Sequence, residues 1–210
     1  MAVNLLTAGN QDSPAVAMDA SGNYVVAWTT YGQNGDRSAD GNIMARKFSH
    51  LGKPLSTEVV VNTYLAGSQV RPDVAMDPEG NFVVVWSGRG PIGTGGQTDQ
   101  AGVFFRRFAS KGTPLDLSDR VVATYTKGTQ EMPSVAVDSL GNFVVTWSGE
   151  GREGVPTGKG RLDARGVWAR RFSDFGQPLD RYQVLVNTPA RKASSQEASD
   201  VAADLSLIHI

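Results

Sequence analysis

Val74-Ala75-Met76-Asp77-Pro78-Glu79-Gly80-Asn81-Phe82-Val83-Val84-Val85-Trp86 is the stretch on which the fold turns. Asp accepts hydrogen bonds from its own turn and Gly tolerates positive φ, so Asp77-x-x-Gly80-Asn81 predicts a tight hairpin between two strands. The second strand, Phe82 to Trp86, is apolar at every position. A sheet with one wet face alternates apolar with polar residues. An unbroken apolar strand therefore predicts a sheet covered on both faces. Sheets stacked face to face around an axis meet that condition.

The same stretch recurs. Val16-Ala17-Met18-Asp19 leads to Gly22-Asn23-Tyr24-Val25-Val26-Ala27-Trp28, and Val135-Ala136-Val137-Asp138 leads to Gly141-Asn142-Phe143-Val144-Val145-Thr146-Trp147. A fourth copy begins at Gln196 and reaches Asp204. From Asp19 to Asp77, Asp138 and Asp204 the successive spacings are 58, 61 and 66 residues. The second half of each unit repeats too: Ile43–Phe48, Val103–Phe108 and Val167–Phe172 each precede a Gly-x-Pro-Leu turn and a β-branched run. Four short strands in about sixty residues make one blade-sized antiparallel sheet. The units are expected at about 11–63, 64–124 and 125–188, with a partial copy at 189–204.

Composition sets outer bounds. The chain has 210 residues, 40% of them apolar, so it can bury a core. Glycine is 24 of 210, about 11% against a usual ~7%, which agrees with many turns. Net charge is −1, and no basic footprint points to nucleic acid. No apolar run approaches the roughly 18–20 residues of a membrane-spanning helix. There is no cysteine, so disulfides, thiolate zinc sites and thiol nucleophiles are excluded.

These features predict an all-β chain: a partial β-propeller of about three four-stranded blades, with partial units at both ends. A β-solenoid has shorter coils, and a string of sandwich domains needs about seven strands each. The Val-Ala-Met-Asp-x-x-Gly-Asn-Phe-Val-Val-x-Trp pattern resembles blades of bacterial secreted or surface repeat proteins. It is also similar to the NHL-type propeller repeat. The resemblance implies a secreted or cell-surface location and a binding scaffold. The pattern departs from the sialidase Asp-box, Ser-x-Asp-x-Gly-x-Thr-Trp, because two residues separate Asp from Gly, and this weighs against a glycosidase. Val3-Asn4 matches the unit ends Val61-Asn62 and Val186-Asn187, so the chain is expected to be part of a longer propeller whose remaining blades are its partners. Leu205-Ser206-Leu207-Ile208-His209-Ile210 resembles a translated sequencing adapter and is expected to be a non-native tail.

Candidate residues fall into four sets. Asp19, Asp77, Asp138 and Asp204 are expected to stabilise the hairpin turns. Of the basic pairs Arg46-Lys47, Arg106-Arg107 and Arg170-Arg171, one member is expected between blades and the other in solvent, since strand neighbours point to opposite faces. Trp28, Trp86 and Trp147 end the second strand and are expected to pack between sheets, and Met44, Phe104 and Trp168 mark a buried slot in the third. Asp36, Asp40, Asp99 and Asp163 lie in variable, Gly-rich loops between strands two and three, where a protein or carbohydrate ligand, or Ca²⁺, would bind. No cofactor is implied. One usable His, no Cys and no Gly-x-Ser-x-Gly elbow leave no nucleophilic triad, so the chain is read as non-catalytic. The alternatives are a glycan-processing propeller, which needs carboxylates roughly 5–9.5 Å apart, and a purely structural spacer.

Overall fold

The computed structural model describes residues 2–5, 7, 9–32, 40–92, 97–152 and 162–187, and only the backbone of 92, 97–100 and 162–165. Among the described residues twelve strands form three antiparallel four-stranded sheets, each in sequence order, and no helix occurs. Blade 1 holds β1 (Gln11–Met18), β2 (Tyr24–Tyr31), β3 (Gly41–Phe48) and β4 (Val59–Val60). Blade 2 holds β5 (Gln69–Met76), β6 (Phe82–Ile92), β7 (Gln97–Phe108) and β8 (Arg120–Val121). Blade 3 holds β9 (Gln130–Val137), β10 (Phe143–Arg152), β11 (Leu162–Phe172) and β12 (Val184–Leu185). The first strands β1, β5 and β9 lie against one another in succession, so the blades fan out from their inner edges as in a propeller.

The central strand β6 behaves as its composition demands. Val83, Val84 and Val85 are 5%, 0% and 0% exposed. Val84 and Trp86 join a core with Val25, Ala27 and Ile43 of blade 1. Val83 and Val85 join a second core with Val135, Phe143 and Trp147 of blade 3. Period-2 alternation thus sends successive apolar side chains into two different interfaces.

Each blade is built by the same local devices. In all three first hairpins the Gly N–H donates to the Asp carbonyl at 3.0–3.1 Å, and Gly22, Gly80 and Gly141 sit at φ 80°, 88° and 83°. This is a type I turn closed by a left-handed residue, which Gly occupies without steric cost. The prolines of the first strands mark bulges: Ser13, Arg71 and Met132, each just before Pro, take φ of 51–54°. In all three blades one extra residue in the first strand accompanies this turn. Tyr24–Phe48, Phe82–Phe108 and Phe143–Phe172 stack across β2–β3, β6–β7 and β10–β11 with centroids 4.9–5.2 Å apart.

Two expectations need correction. The tryptophans do not end the second strands, which run on to Tyr31, Ile92 and Arg152. In blades 2 and 3 a bulge after Gly88 and Gly149 lets the hairpin continue, pairing Gly90 with Asp99 and Gly151 with Asp163. Asp99 and Asp163 therefore stand in strands, not in loops. Glycine at 90 and 151 permits this, because the aromatic slot residue lies against the backbone there. A Cβ on Gly151 would sit 2.3 Å from the Trp168 ring, and one on Gly90 would sit 2.6 Å from the Phe104 ring. Gly151→Ala should cost about 1–3 kcal/mol in urea unfolding through overpacking. Gly112→Ala, which meets no atom but keeps φ at 83°, should cost about 1 kcal/mol. Equal effects at the two positions would show that Trp168 does not press on Gly151.

Candidate functional site

The repeated aspartates are engaged by their own turns. Asp19 Oδ1 accepts from the Ser21 and Asn23 N–H at 2.9 Å, and Asp138 Oδ1 accepts from Leu140 and Asn142 at 2.9 Å. Asp77 Oδ1 accepts from the Asn81 N–H at 2.8 Å. In each copy the Asn amide donates to the other carboxylate oxygen at 2.8–3.0 Å. The Asn81 and Asn142 side-chain Oδ1 atoms then accept from the Ser110 and Asp174 N–H, tying the first turn of a blade to its second. Burial raises the Asp19 carboxyl, but the Asn23 and Ser21 hydrogen bonds and the Lys47 charge outweigh it and hold it below its ordinary range.

The first arginine of each basic pair reaches back to the preceding unit. Arg106 Nη1 donates to the Val61 carbonyl at 2.9 Å, Arg170 Nη1 to Val122 at 2.8 Å, and Arg46 Nη1 to Val3 at 2.8 Å. Their Nε groups donate to Asp116, Asp180 and Ser56 carbonyls of the same blade. Each guanidinium also lies 5.3–5.6 Å from the ring of Phe48, Phe108 or Phe172 two residues on.

In blades 1 and 2 the second basic residue does not face solvent, as alternation suggests, but reaches forward to the next blade, whereas Arg171 stays with Asp180 of its own blade and is 40% exposed. Lys47 Nζ donates to the Gly80 and Ser110 carbonyls of blade 2 at 3.1 and 2.9 Å and lies 3.8 Å from Asp19. Arg107 Nη1 donates to the Asp174 carbonyl of blade 3. Solvent on the far face is replaced by the next blade, so a cation there finds backbone carbonyls. Burial lowers the Lys47 ammonium, against the opposing charges of Asp19 and Asp77.

Asp116 and Asp180 belong to this scheme and were not singled out in the sequence. Arg107 holds Asp116 through its backbone N–H, Nε and Nη2 at 2.7–2.9 Å, and Arg171 holds Asp180 in the same way at 2.7–3.1 Å. The signal was visible: Pro-Leu-Asp follows the two Arg-Arg units, whereas Pro-Leu-Ser56 follows Arg46-Lys47. A cleft of ≈ 380 Å³ lies between the turns of blades 2 and 3, bordered by Asp77, Arg107, Leu140, Asp174 and Phe175. Two aspartates border it: Asp77, whose oxygens accept from Asn81 of its own turn, and Asp174, whose Oδ1 accepts from the Phe175 N–H.

Trp86 and Trp147 are fully buried and Trp28 nearly so. They pair across the sheet with Phe104, Trp168 and Met44, and Trp168 Nε1 donates to the Gly149 carbonyl at 3.0 Å. Asp40 stands immediately before β3. Asp36, Asp204 and the 205–210 tail lie outside the described residues, and the side chains of Asp99 and Asp163 are likewise not described. Among the described residues no group of three or more His, Cys, Asp or Glu could hold a metal ion.

No protein-family model matches the chain, and no curated protein sequence matches it. Several solved structures are similar to it, two of them as follows. One is a provisionally named glycoside hydrolase of Parabacteroides distasonis, 11% identical over 86% of this chain, with a TM-score of 0.47. The other is a provisionally named glycosidase of Bacteroides thetaiotaomicron, 15% identical over 87% of this chain, also with a TM-score of 0.47. The chain spans 54% of the length of each.

The Arg107–Asp116 pair supplies a pH test. Burial pushes Asp116 up, yet the Arg107 hydrogen bonds and the Arg107 and Arg120 charges hold it below the ordinary aspartate range. A carboxyl depressed on folding stabilises the protein above its unfolded-state pKa, and that gain is lost as pH falls through the folded-state pKa. The pair is buried, with side chains 11% and 6% exposed. Asp116→Asn should therefore cost on the order of 3 kcal/mol at pH 7. The difference from the parent should shrink as pH drops below the ordinary aspartate range. A difference that stays constant down to pH 2 would show that the carboxylate charge contributes nothing.

Proposed function

We propose that this chain is part of a non-catalytic propeller scaffold of a larger secreted or cell-surface protein, whose elongated hairpins bind a protein or carbohydrate ligand. One observation carries the reading. The repeated Asp, Asn and Arg side chains make hydrogen bonds within and between blades, while β6–β7 and β10–β11 extend past their bulges beyond the common sheet. Residues that recur in every blade thus build the blade. What differs between blades is the hairpin between strands two and three, 20, 22 and 25 residues from Trp28, Trp86 and Trp147 to Phe48, Phe108 and Phe172. Variable hairpins on a rigid sheet are a usual place for recognition. The location rests on the likeness of the repeat pattern to bacterial secreted and surface repeat proteins.

The test trims one hairpin. Replacing Pro91–Thr98 with Asn-Gly should close a two-residue turn between Gly90 and Asp99 without disturbing the sheet. The parent and the trimmed chain are compared on immobilised glycans and on an extracellular protein panel. Retained thermal unfolding with loss of binding supports the proposal. Turnover of aryl glycosides or release of reducing ends by the parent chain would overturn the non-catalytic reading. Equal binding by both chains would remove the ligand from the hairpin.

A further inference from the structure

We propose that the outer face of blade 1, the face turned away from blade 2, is the seat of one further four-stranded blade of this same repeat, continuous with Val3. Three independent observations carry this.

The first is a difference in exposure between equivalent residues. Val74 and Met76 of blade 2 are 5% and 9% exposed, because blade 1 covers them. Their counterparts in blade 1, Val16 and Met18, are 64% and 61% exposed. Apolar residues at the same repeat position are thus buried where a blade precedes and open where none is seen.

The second is a backbone latch. Arg106 and Arg170 each grip the carbonyl of the residue just after the preceding blade's fourth strand, Val61 or Val122. Arg46 grips Val3 in the same way.

The third is a side chain just before the fourth strand of each blade. Asp119 accepts from the Thr63 N–H at 2.7 Å, and Gln183 accepts from the Thr124 N–H at 3.0 Å. Glu58 accepts from the Leu5 N–H. Residues 3–5 therefore lie on blade 1 as residues 61–63 lie on blade 2 and 122–124 on blade 3. They hold the place of a departing fourth strand.

The chemistry of the occupant follows from the interface already formed. Blade 1 shows blade 2 a front of small and β-branched residues, Val25, Ala27, Ile43 and Ala45, with Lys47 at its rim. Blade 2 receives it with Val74, Met76, Phe82, Val84 and Trp86. The outer face of blade 1 offers exposed Val16 and Met18 and half-buried Tyr24 and Val26, counterparts of Val74, Met76, Phe82 and Val84, while Trp28 is already 5% exposed. A void of ≈ 170 Å³ lies beside Trp28, Val26 and Val3, where the front of a preceding blade would enter. An incoming Lys or Arg at the Lys47 position would donate to the Gly22 and His50 carbonyls, the counterparts of Gly80 and Ser110. Continuity with an existing interface selects a blade of this repeat over an unrelated partner.

The absence of cysteine makes the face addressable. Met1–Val60 is duplicated directly ahead of Val3, and one cysteine is placed at the original Val16 as Val16→Cys. Val74→Cys in the unextended chain is the buried reference. We expect Val16→Cys to label with a small thiol reagent at least ~10-fold faster than Val74→Cys without the extension, and to slow to the Val74→Cys rate with it. We also expect Val16→Asp to leave the unextended chain's Tm within ~2 °C and to lower that of the extended chain by more than ~5 °C. An extended chain that does not fold, or in which Val16→Cys labels at its original rate, overturns the proposal. Protection of Val16→Cys in the unextended chain that grows with protein concentration overturns it in favour of a second copy.

Discussion

The structure depends on the burial of sheet against sheet, which for blade 2 happens on both faces at once. A single four-stranded sheet of this size has no interior. Its side chains leave water only when another sheet is laid on each face. β6 shows the consequence most clearly, since Val83 and Val85 belong to one interface and Val84 and Trp86 to the other. The blades are therefore not domains that happen to touch. Each completes the core of the next, and their stability is a sum over interfaces as much as over sheets.

Apolar stacking alone is tolerant of sliding, and the polar contacts remove that freedom. Arg46, Arg106 and Arg170 each bond a backbone carbonyl of the preceding unit. Lys47 and Arg107 each bond a carbonyl of the following one. Glu58, Asp119 and Gln183 hold the connecting segments. A carbonyl group in a fixed position accepts from a narrow range of directions, so each such bond sets the register between sheets. Buried cations are costly without partners. The recurring Arg-Arg pair is explained by this demand: alternation sends its two members to opposite faces, and in blade 2 both faces are interfaces.

The repeat was legible because the same physical problem is solved three times in one chain. Asp-x-x-Gly-Asn announced a turn, and the unbroken Phe-Val-Val-Val-Trp run announced two covered faces. The partner of Arg107 was less evident, though Asp116 and Ser56 differ in step with Arg107 and Lys47. The continuation of β6 to Ile92 and of β10 to Arg152 has no such local signal. Glycine-rich sequence signals turns by composition. Here Gly90 and Gly151 are needed because aromatic rings of the adjacent strand lie where a Cβ would be. That reason belongs to packing and has no local signature. The candidate loop carboxylates shared the difficulty, since nothing in the spacing of Asp99 and Asp163 shows that both fall opposite a glycine just past a bulge.

By itself the sequence determined the local chemistry: where the chain turns, which strands are apolar on both sides, and how often the unit recurs. Those are short-range properties of φ, of hydrogen-bonding side chains and of period-2 alternation. Only the tertiary structure decided which neighbour each alternating residue meets. It sent Arg106 backward and Arg107 forward, buried Val74 while leaving Val16 open, and held Val3 and Leu5 against Arg46 and Glu58 of blade 1. The physical reason is that burial is a property of pairs of sheets, and identical repeat residues acquire different environments according to whether a sheet lies on each side.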